Sequence, residues 1–201
     1  MGEGLTLTEG TKLVQMARKA ASGYLQGKAL PKLFGGVFDE PRSVFVTLST
    51  YPKHELRGCI GFVQSGKKLG EAAMQAAVHA ASNDTRFPPV QIEEIEKIVF
   101  EASVLTIPKI LGCPASQRDK NIKIGKDGLI LEYGGTSGLL LPQVATEWNF
   151  SPKDFLEALC QKAGLPKDMH NSESVQISTF GAQIFCEESP GGKILEKKLF
   201  V

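Results

Sequence analysis

The pattern of apolar and polar residues predicts a chain that alternates between helices and strands. From Thr6 to Leu25, apolar side chains recur three or four residues apart, which is the period of a helix with one buried stripe. Thr6 and Glu9 have the spacing of a capping box, so the helix should begin there. Residues 69–81 are rich in alanine and predict a second helix, whose small side chains would allow close packing against a sheet.

Other segments of the first half show the two-residue alternation of strands. Apolar residues alternate with their neighbours over 44–49 and again over 98–104. Residues 51–55 contain a proline and predict a turn that leads into a further strand at 56–63.

A hairpin is predicted in the second half of the chain. An apolar segment at 122–124 precedes the turn residues 126–128, which lead into a strand at 129–133. The glycine-rich residues 134–138 then form a loop before the apolar residues 139–141.

A helix is predicted to begin at Ser151. Pro152 suits the first helical position, and Asp154 completes a second capping box. Cys160 falls on the apolar stripe of this helix, so we expect it to be buried in packing against the sheet.

The order of the elements predicts an α+β domain. With late strands at 175–179 and 182–186, the short turns favour a mostly antiparallel sheet with helices packed against it. Hairpin followed by helix occurs twice, which indicates a weak internal duplication with repeats at approximately 40–110 and 111–187. No linker rich in proline, serine or charge separates the halves, so we predict a single domain over residues 1–201.

Composition narrows the classes of partner. A chain of 201 residues that is 42% hydrophobic can bury one sizeable core. Its net charge of +1 gives no field that would attract nucleic acid or an anionic membrane. No segment approaches the ~20 apolar residues of a membrane span. We therefore predict neither a nucleic-acid nor a membrane partner.

The cysteines predict a reducing compartment. Cys59, Cys113, Cys160 and Cys186 are far apart, and no pair has the spacing of a zinc site. A chain of this length does not need disulfide bonds, so free thiols in the cytoplasm are expected. We predict no metal and no cofactor.

The segment from Leu56 to Gly61 is the strongest candidate for chemistry. On a strand, Arg57 and Cys59 share one face, ~7 Å apart. Gly58 and Gly61 predict a bulge or the close approach of another group to the backbone. A guanidinium beside a thiol would stabilise the thiolate. The segment thus predicts either an anion-binding or nucleophilic strand, or a core cysteine beside a structural arginine.

A nucleophilic Cys59 would need a base, and the sequence supplies a poor one. His54 is up to ~16 Å away along an extended strand. His79 lies within a predicted helix and His170 in a loop, and nothing in their spacing brings either to Cys59.

Residues 84–90 form a second candidate segment. Asp84 and Arg86 precede an aromatic residue and two prolines, a combination that could hold a loop over a site. The alternative is a helix exit stabilised by an ion pair.

Four motifs in order resemble the AMMECR family. They are the run Leu-Arg-Gly-Cys-Ile-Gly at 56–61, the segment 84–90, the segment 138–144 and Glu147. The resemblance extends over roughly residues 8–187 and is closest to prokaryotic or archaeal single-domain members. It implies an α+β fold in which two repeats of strands and helices form one barrel-like sheet with helices outside. It also implies association with Memo-type proteins and radical SAM enzymes, and it transfers the family's suspected site to residues 56–61.

The resulting functional hypothesis is a domain that binds a small anionic ligand or a protein partner. Arg57 would hold a carboxylate or phosphate, and Cys59 would line the site beneath the 84–90 loop. The alternative is a thiol-dependent enzyme with Cys59 as its catalytic nucleophile, and a weaker one is a nucleic-acid regulator, which the neutral charge disfavours. The predicted ligand-binding residues are Arg57, Gly58, Gly61, Asp84 and Arg86, with Gln143 and Glu147 as secondary polar contacts.

Overall fold

The computed structural model describes residues 4–32, 35–63 and 66–197. The α-helices are α1 (Leu7–Leu25), α2 (Leu69–Ser82), α3 (Pro142–Glu147) and α4 (Pro152–Lys162). The strands are β1 (Val44–Thr50), β2 (Leu56–Phe62), β3 (Ile98–Leu105), β4 (Lys109–Ile110), β5 (Gly128–Tyr133), β6 (Thr136–Leu140), β7 (Gln176–Phe180), β8 (Ala182–Glu187) and β9 (Ile194–Lys197). Short 3-10 helices lie at Gly36–Asp39, Ile92–Lys97, Ala115–Asn121 and Lys167–Asn171.

The chain divides into two compact units. Of the described residues, the first unit contains those up to Leu105 together with 183–197, and the second contains Thr106–Ala182. At the ends of the second unit, the backbone N–H of Thr106 donates to the carbonyl oxygen of Gly181 at 2.9 Å.

The first unit is a five-stranded sheet with both of its long helices on one face. The strand order is β2-β1-β3-β8-β9, and β1 pairs antiparallel with β2 and with β3. The core lies between this face and the helices α1 and α2, and alternate residues of β1 and β3 point into it. In β1 the predicted alternation is confirmed, because every second side chain is buried. In β3 alternate residues also face this core, although all of its residues except Glu101 are buried.

Helix α1 begins as its sequence predicts. The Thr6 side chain accepts the backbone N–H of Glu9 while the Glu9 carboxylate accepts that of Thr6. Gly10 lies in the first turn of this helix, where glycine weakens helix formation. A Cβ atom there would lie 2.1 Å from the Phe185 ring, so Gly10 allows the helix to contact β8 closely.

Helix α2 also lies close to the sheet, and here the contact is between backbones. A Cβ atom on Gly58 of β2 would lie 2.2 Å from the carbonyl oxygen of Ala80. The predicted role of the alanine-rich helix is confirmed, since ten of its residues are buried. Gly58 is thus required by packing between strand and helix.

The second unit is a four-stranded sheet covered by α4. The strand order is β4-β7-β5-β6, and the described pairs are antiparallel. Phe155, Leu156 and Leu159 of α4 form its core with strand residues. The Ser151 capping box and Pro152 in the first turn are confirmed.

Two local predictions for the second unit were wrong. Ile122 and Ile124 alternate as in a strand, but they lie outside the strands and both pack into the core. The chain turns there instead, because the Asp127 side chain accepts the backbone N–H of Lys123 at 2.8 Å. The glycine-rich loop is also shorter than predicted, since β6 already begins at Thr136.

The predicted fold class is confirmed as α+β with mostly antiparallel pairing, although the strands are divided between two sheets. The duplication over 40–110 and 111–187 stays a prediction. None of the helices in the described residues has the length and apolarity needed to cross a membrane.

Candidate ligand-binding site

Strand β2 presents its candidate residues on the face away from the helices. Gly58 contacts α2, and Ile60 packs against the core of the first unit. Because side chains alternate along a strand, Arg57 and Cys59 lie on the opposite face. Both side chains are half-buried. The structure therefore places them together, as the hypothesis of a binding strand requires.

The Cys59 thiol lies beside a hydroxyl group of the neighbouring strand. Thr47 is the register partner of Cys59, and its Oγ1 donates to Sγ at 3.3 Å. Burial raises the pKa of the Cys59 thiol above its ordinary value, and the Thr47 hydrogen bond and the charge of Arg86 oppose that shift only in part. Cys59 is consequently a protonated thiol near neutral pH.

A carboxylate lies next to Thr47 on the third strand of the sheet. Thr47 pairs with Glu101 of β3, whose Oε2 accepts Lys197 Nζ of β9 at 2.6 Å. The negative charge of Glu101 also contributes to the raised pKa of Cys59. On the same face of β3, the buried hydroxyl of Ser103 has no hydrogen-bond partner in the part of the chain that the structure describes. Polar groups of several strands are thus brought together on one face.

Asp84 and Arg86 bind the backbone of Cys59. The Asp84 carboxylate accepts the Cys59 N–H at 2.8 Å, and Arg86 Nη2 donates to the Cys59 carbonyl oxygen at 3.2 Å. The two side chains also pair with each other, with Nη2–Oδ2 and Nε–Oδ1 distances of 2.6 and 2.9 Å. Chiefly because of the Arg86 hydrogen bonds, the pKa of Asp84 falls to about 2. Asp84 is buried, whereas 53% of the Arg86 side chain is exposed.

Arg57 is held by the segment that follows Asp84. Its Nε and Nη2 donate to the two carboxylate oxygens of Glu94 at 2.9 and 3.1 Å, and its Nη1 donates to the Pro88 carbonyl oxygen at 2.9 Å. These hydrogen bonds lower the pKa of Glu94. Only 12% of the Arg57 side chain is exposed. Arg57 therefore fixes the di-proline loop to the strand. The hypothesis placed a ligand carboxylate or phosphate at Arg57, but in this structure the Glu94 carboxylate takes that position.

Gly61 is covered by an aromatic ring. It is the register partner of Phe45, and a Cβ atom on Gly61 would lie 2.3 Å from that ring. The glycine allows the ring to lie across β2 on the Cys59 face.

The histidines of the first unit do not supply a base for Cys59. The His79 ring contacts Phe62 edge-on at 6.2 Å, and Phe62 packs on the helix side of the sheet. His54 makes a similar contact with Tyr51 at 6.0 Å. His170 belongs to the second unit, where it is buried. In the described residues, the hydrogen bond from Thr47 is the only one to the Cys59 sulfur.

The two secondary contact residues lie in the second unit, on α3. The Gln143 Oε1 atom is buried and has no hydrogen-bond partner among the described residues. Glu147 is exposed. Their role as polar contacts of a ligand stays a prediction.

All four cysteines are free thiols, and Cys160 is buried as its position on the apolar stripe of α4 predicts. Cys186 is also buried, and Cys113 is half-buried. Within residues 4–32, 35–63 and 66–197, no group of three or more His, Cys, Asp or Glu side chains is arranged to hold a metal ion.

Sequence reasoning missed the partners of the candidate residues. Four residues around the candidate site fall outside the motifs: Thr47, Glu94, Glu101 and Lys197. A signal existed for Glu101, because it is the only charged residue in a mostly apolar strand. Glu94 had no comparable signal, since it reaches Arg57 only through the fold.

The comparisons with known proteins agree with the fold and the motifs. The chain matches the AMMECR1 family over residues 14–185. It is 50% identical to protein MJ0810 of Methanocaldococcus jannaschii, with 97% of this chain and 98% of that protein covered. It is 46% identical to the crystal structure of PH0010 from Pyrococcus horikoshii, with a TM-score of 0.90 over 94% of this chain and 96% of that one. The chain therefore belongs to the AMMECR1 family.

Proposed function

We propose that this chain is a binding protein for a small ligand that carries a carboxylate or phosphate group, and that the ligand contacts Arg86 beside Cys59. The observation that supports this most is the state of the Arg86 guanidinium. Nε and Nη2 are used by Asp84 and Cys59, whereas Nη1 has no hydrogen-bond partner among the described residues. Two N–H donors of a half-exposed, rigidly held guanidinium thus remain for a ligand.

Arg57 has a supporting role in this proposal. Its bonds to Glu94 and Pro88 hold the loop that carries Arg86 against β2. A contact that is held in place before binding loses less conformational entropy when the ligand arrives. Arg57 is therefore a positioning residue, and Arg86 makes the contact.

Cys59 lines the proposed site without acting as a nucleophile. Its raised pKa leaves little thiolate at neutral pH, and its sulfur accepts a hydrogen bond from a hydroxyl where an activating base would be needed. These features favour binding over a thiol-dependent reaction.

NMR titrations that follow the backbone amide signals of individual residues test the proposal. Inorganic phosphate and acetate serve as probes, each at ionic strength matched with sodium chloride. We expect the amides of Cys59, Thr85 and Arg86 to shift in a saturable way, and Arg86→Gln to remove the response. Cys59→Ala should keep it. The proposal is wrong if these amides respond to chloride as they do to phosphate, or if Arg86→Gln binds like the unaltered protein.

The thiol-dependent alternative has its own measurement. If Cys59 were a nucleophile, its alkylation rate would follow a titration with a midpoint well below the ~8.5 of a free thiol. We expect a midpoint above that value instead. A low midpoint that rises in Arg86→Gln would favour the enzyme.

The association with Memo-type and radical SAM proteins that the family resemblance implies stays a prediction. Co-purification of the tagged chain with a Memo-type protein from the same organism, compared between unaltered protein and Arg86→Gln, would test it.

A further inference from the structure

The second unit contains a cavity that the proposed site does not use. Its volume is about 640 Å³, within the range of small-molecule sites. The cavity lies between the β4–β7 edge and the following loops. Leu111, Val175 and Ile177 give it an apolar wall, while Cys113, Arg118 and Glu173 contribute polar groups.

Arg118 is a buried cation at this cavity. Only 5% of the residue is exposed, and its guanidinium donates to three backbone carbonyl oxygens, those of His170, Ser172 and Val175. Its Nε is buried without a hydrogen-bond partner in the described part of the chain. Among those residues, no carboxylate lies within the 4.0 Å of an ion pair with Arg118.

The positive charge of Arg118 is therefore not neutralised by direct pairing. Carbonyl dipoles stabilise a guanidinium but leave its net charge, and a buried charge is costly without a counterion. Glu173 also lines the cavity, with Oε1 accepting the Ala115 N–H at 2.8 Å. Glu173 is exposed, so water screens its charge far more than that of Arg118.

We infer that this cavity is a second binding site, for a small organic anion with an apolar body. The carboxylate or phosphate of the ligand would lie toward Arg118 and its apolar part against Leu111, Val175 and Ile177. Arg86 is not among the residues that line this cavity, all of which belong to the second unit.

Cys113 provides a reporter within the cavity. Iodoacetate and iodoacetamide alkylate a thiolate by the same displacement of iodide, but only iodoacetate is an anion. The fraction of Cys113 present as thiolate affects both rates equally, so the ratio of the two rate constants reports the local attraction of anions. The ratio is measured at Cys113 by peptide mapping, in the folded protein and in the urea-unfolded chain.

We expect the iodoacetate-to-iodoacetamide ratio at Cys113 to be at least about threefold higher in the folded protein, because an uncompensated cation concentrates anions nearby. Inorganic phosphate should lower the ratio more than sodium chloride of equal ionic strength. Glu173→Gln should raise the ratio, and Arg86→Gln should leave it unchanged. That last control separates this cavity from the site beside Cys59.

Arg118→Gln should bring the ratio down to that of the unfolded chain. Since Arg118 also holds three carbonyl groups, this variant can fail to fold, and the phosphate competition in the unaltered protein then decides. If the ratio is equal in the folded and unfolded chains, or phosphate acts only as chloride does, Arg118 serves to organise its loop and the inference is wrong.

Discussion

The Cβ position of Gly58 lies 2.2 Å from the carbonyl oxygen of Ala80, so strand β2 and helix α2 touch through their backbones. No other residue type could stand at position 58 without moving one of them. The contact fixes the face of β2 that meets the helix, and with it the opposite face that carries Cys59.

Gly58→Ala should destabilise the protein strongly. The added methyl group meets backbone rather than a movable side chain, so we expect a loss of about 2–3 kcal/mol in the free energy of unfolding. Urea denaturation measures it. Gly112→Ala is the matched control, because a Cβ atom there meets nothing within 4 Å. Equal stability of the two variants would show that α2 moves away freely.

Asp84 should make stability depend on pH in the acid range. Its pKa falls from 3.8 to about 2 on folding, so its ionised form stabilises the folded state above about pH 4. This contribution, on the order of 2 kcal/mol, is lost as the pH falls from about 4 toward 2. Asp84→Asn should be less stable at pH 6 and should lack that part of the pH dependence.

Denaturant titrations from pH 6 to pH 2 measure this difference. Asp119→Asn serves as the control, because Asp119 is exposed. If Asp84→Asn lost stability on acidification as steeply as the unaltered protein, the titration of Asp84 would not be the cause.

Arg57 and Glu94 should be energetically coupled. The Arg57 side chain is nearly buried, but the Glu94 side chain is 38% exposed, so water and salt screen the attraction between them. We expect a coupling energy of about 1 kcal/mol from a double-mutant cycle with Arg57→Ala and Glu94→Ala. Arg57→Ala should also increase proteolysis within residues 85–90, because the loop loses its attachment at Pro88. Additive single effects would contradict the coupling.

The buried thiol of α4 should tolerate a hydroxyl poorly. Cys160 has no exposed surface, and its neighbours Leu156 and Leu159 are buried apolar residues. Cys160→Ser should cost ~1–3 kcal/mol, whereas Cys113→Ser at a half-buried turn should change stability by less than ~0.5 kcal/mol. Thiol labelling of the folded protein should correspondingly modify Cys113 and spare Cys160. Rapid labelling of Cys160 would contradict this packing.

Local signals in the sequence were sufficient for the three long helices α1, α2 and α4, whereas the short helix α3 was not predicted. The capping boxes at Thr6 and Ser151 involve residues only three positions apart, so the sequence alone specifies where both helices begin. Alternation was less reliable. Ile122 and Ile124 alternate in sequence because both side chains pack into the core from an irregular segment. That segment does not form a strand, since the Asp127 side chain accepts the backbone N–H of Lys123 that a strand neighbour would otherwise accept.

The position of the candidate site on β2 was predictable from the sequence, but the hydrogen-bond partners of its residues were not. Arg57 and Cys59 share a face because alternation along a strand requires it. Arg57 is neutralised by Glu94, which lies 37 positions later in the sequence. The two residues meet only because α2 and the loop that follows it pack against β2. The arginine whose charge lowers the pKa of the Cys59 thiol is Arg86, for which the sequence pattern around Cys59 gave no indication.

The pairing of Asp84 and Arg86 with the Cys59 backbone also bears on self-association. Among the described strands, β2 is the outermost of its sheet, so one side of its backbone has no strand neighbour there. Such edges readily accept a strand from a second molecule and are starting points for aggregation. Here a carboxylate occupies the position of an incoming carbonyl group, and a guanidinium that of an incoming N–H. The ion pair thereby ends the sheet at Cys59 and protects the protein against intermolecular strand addition.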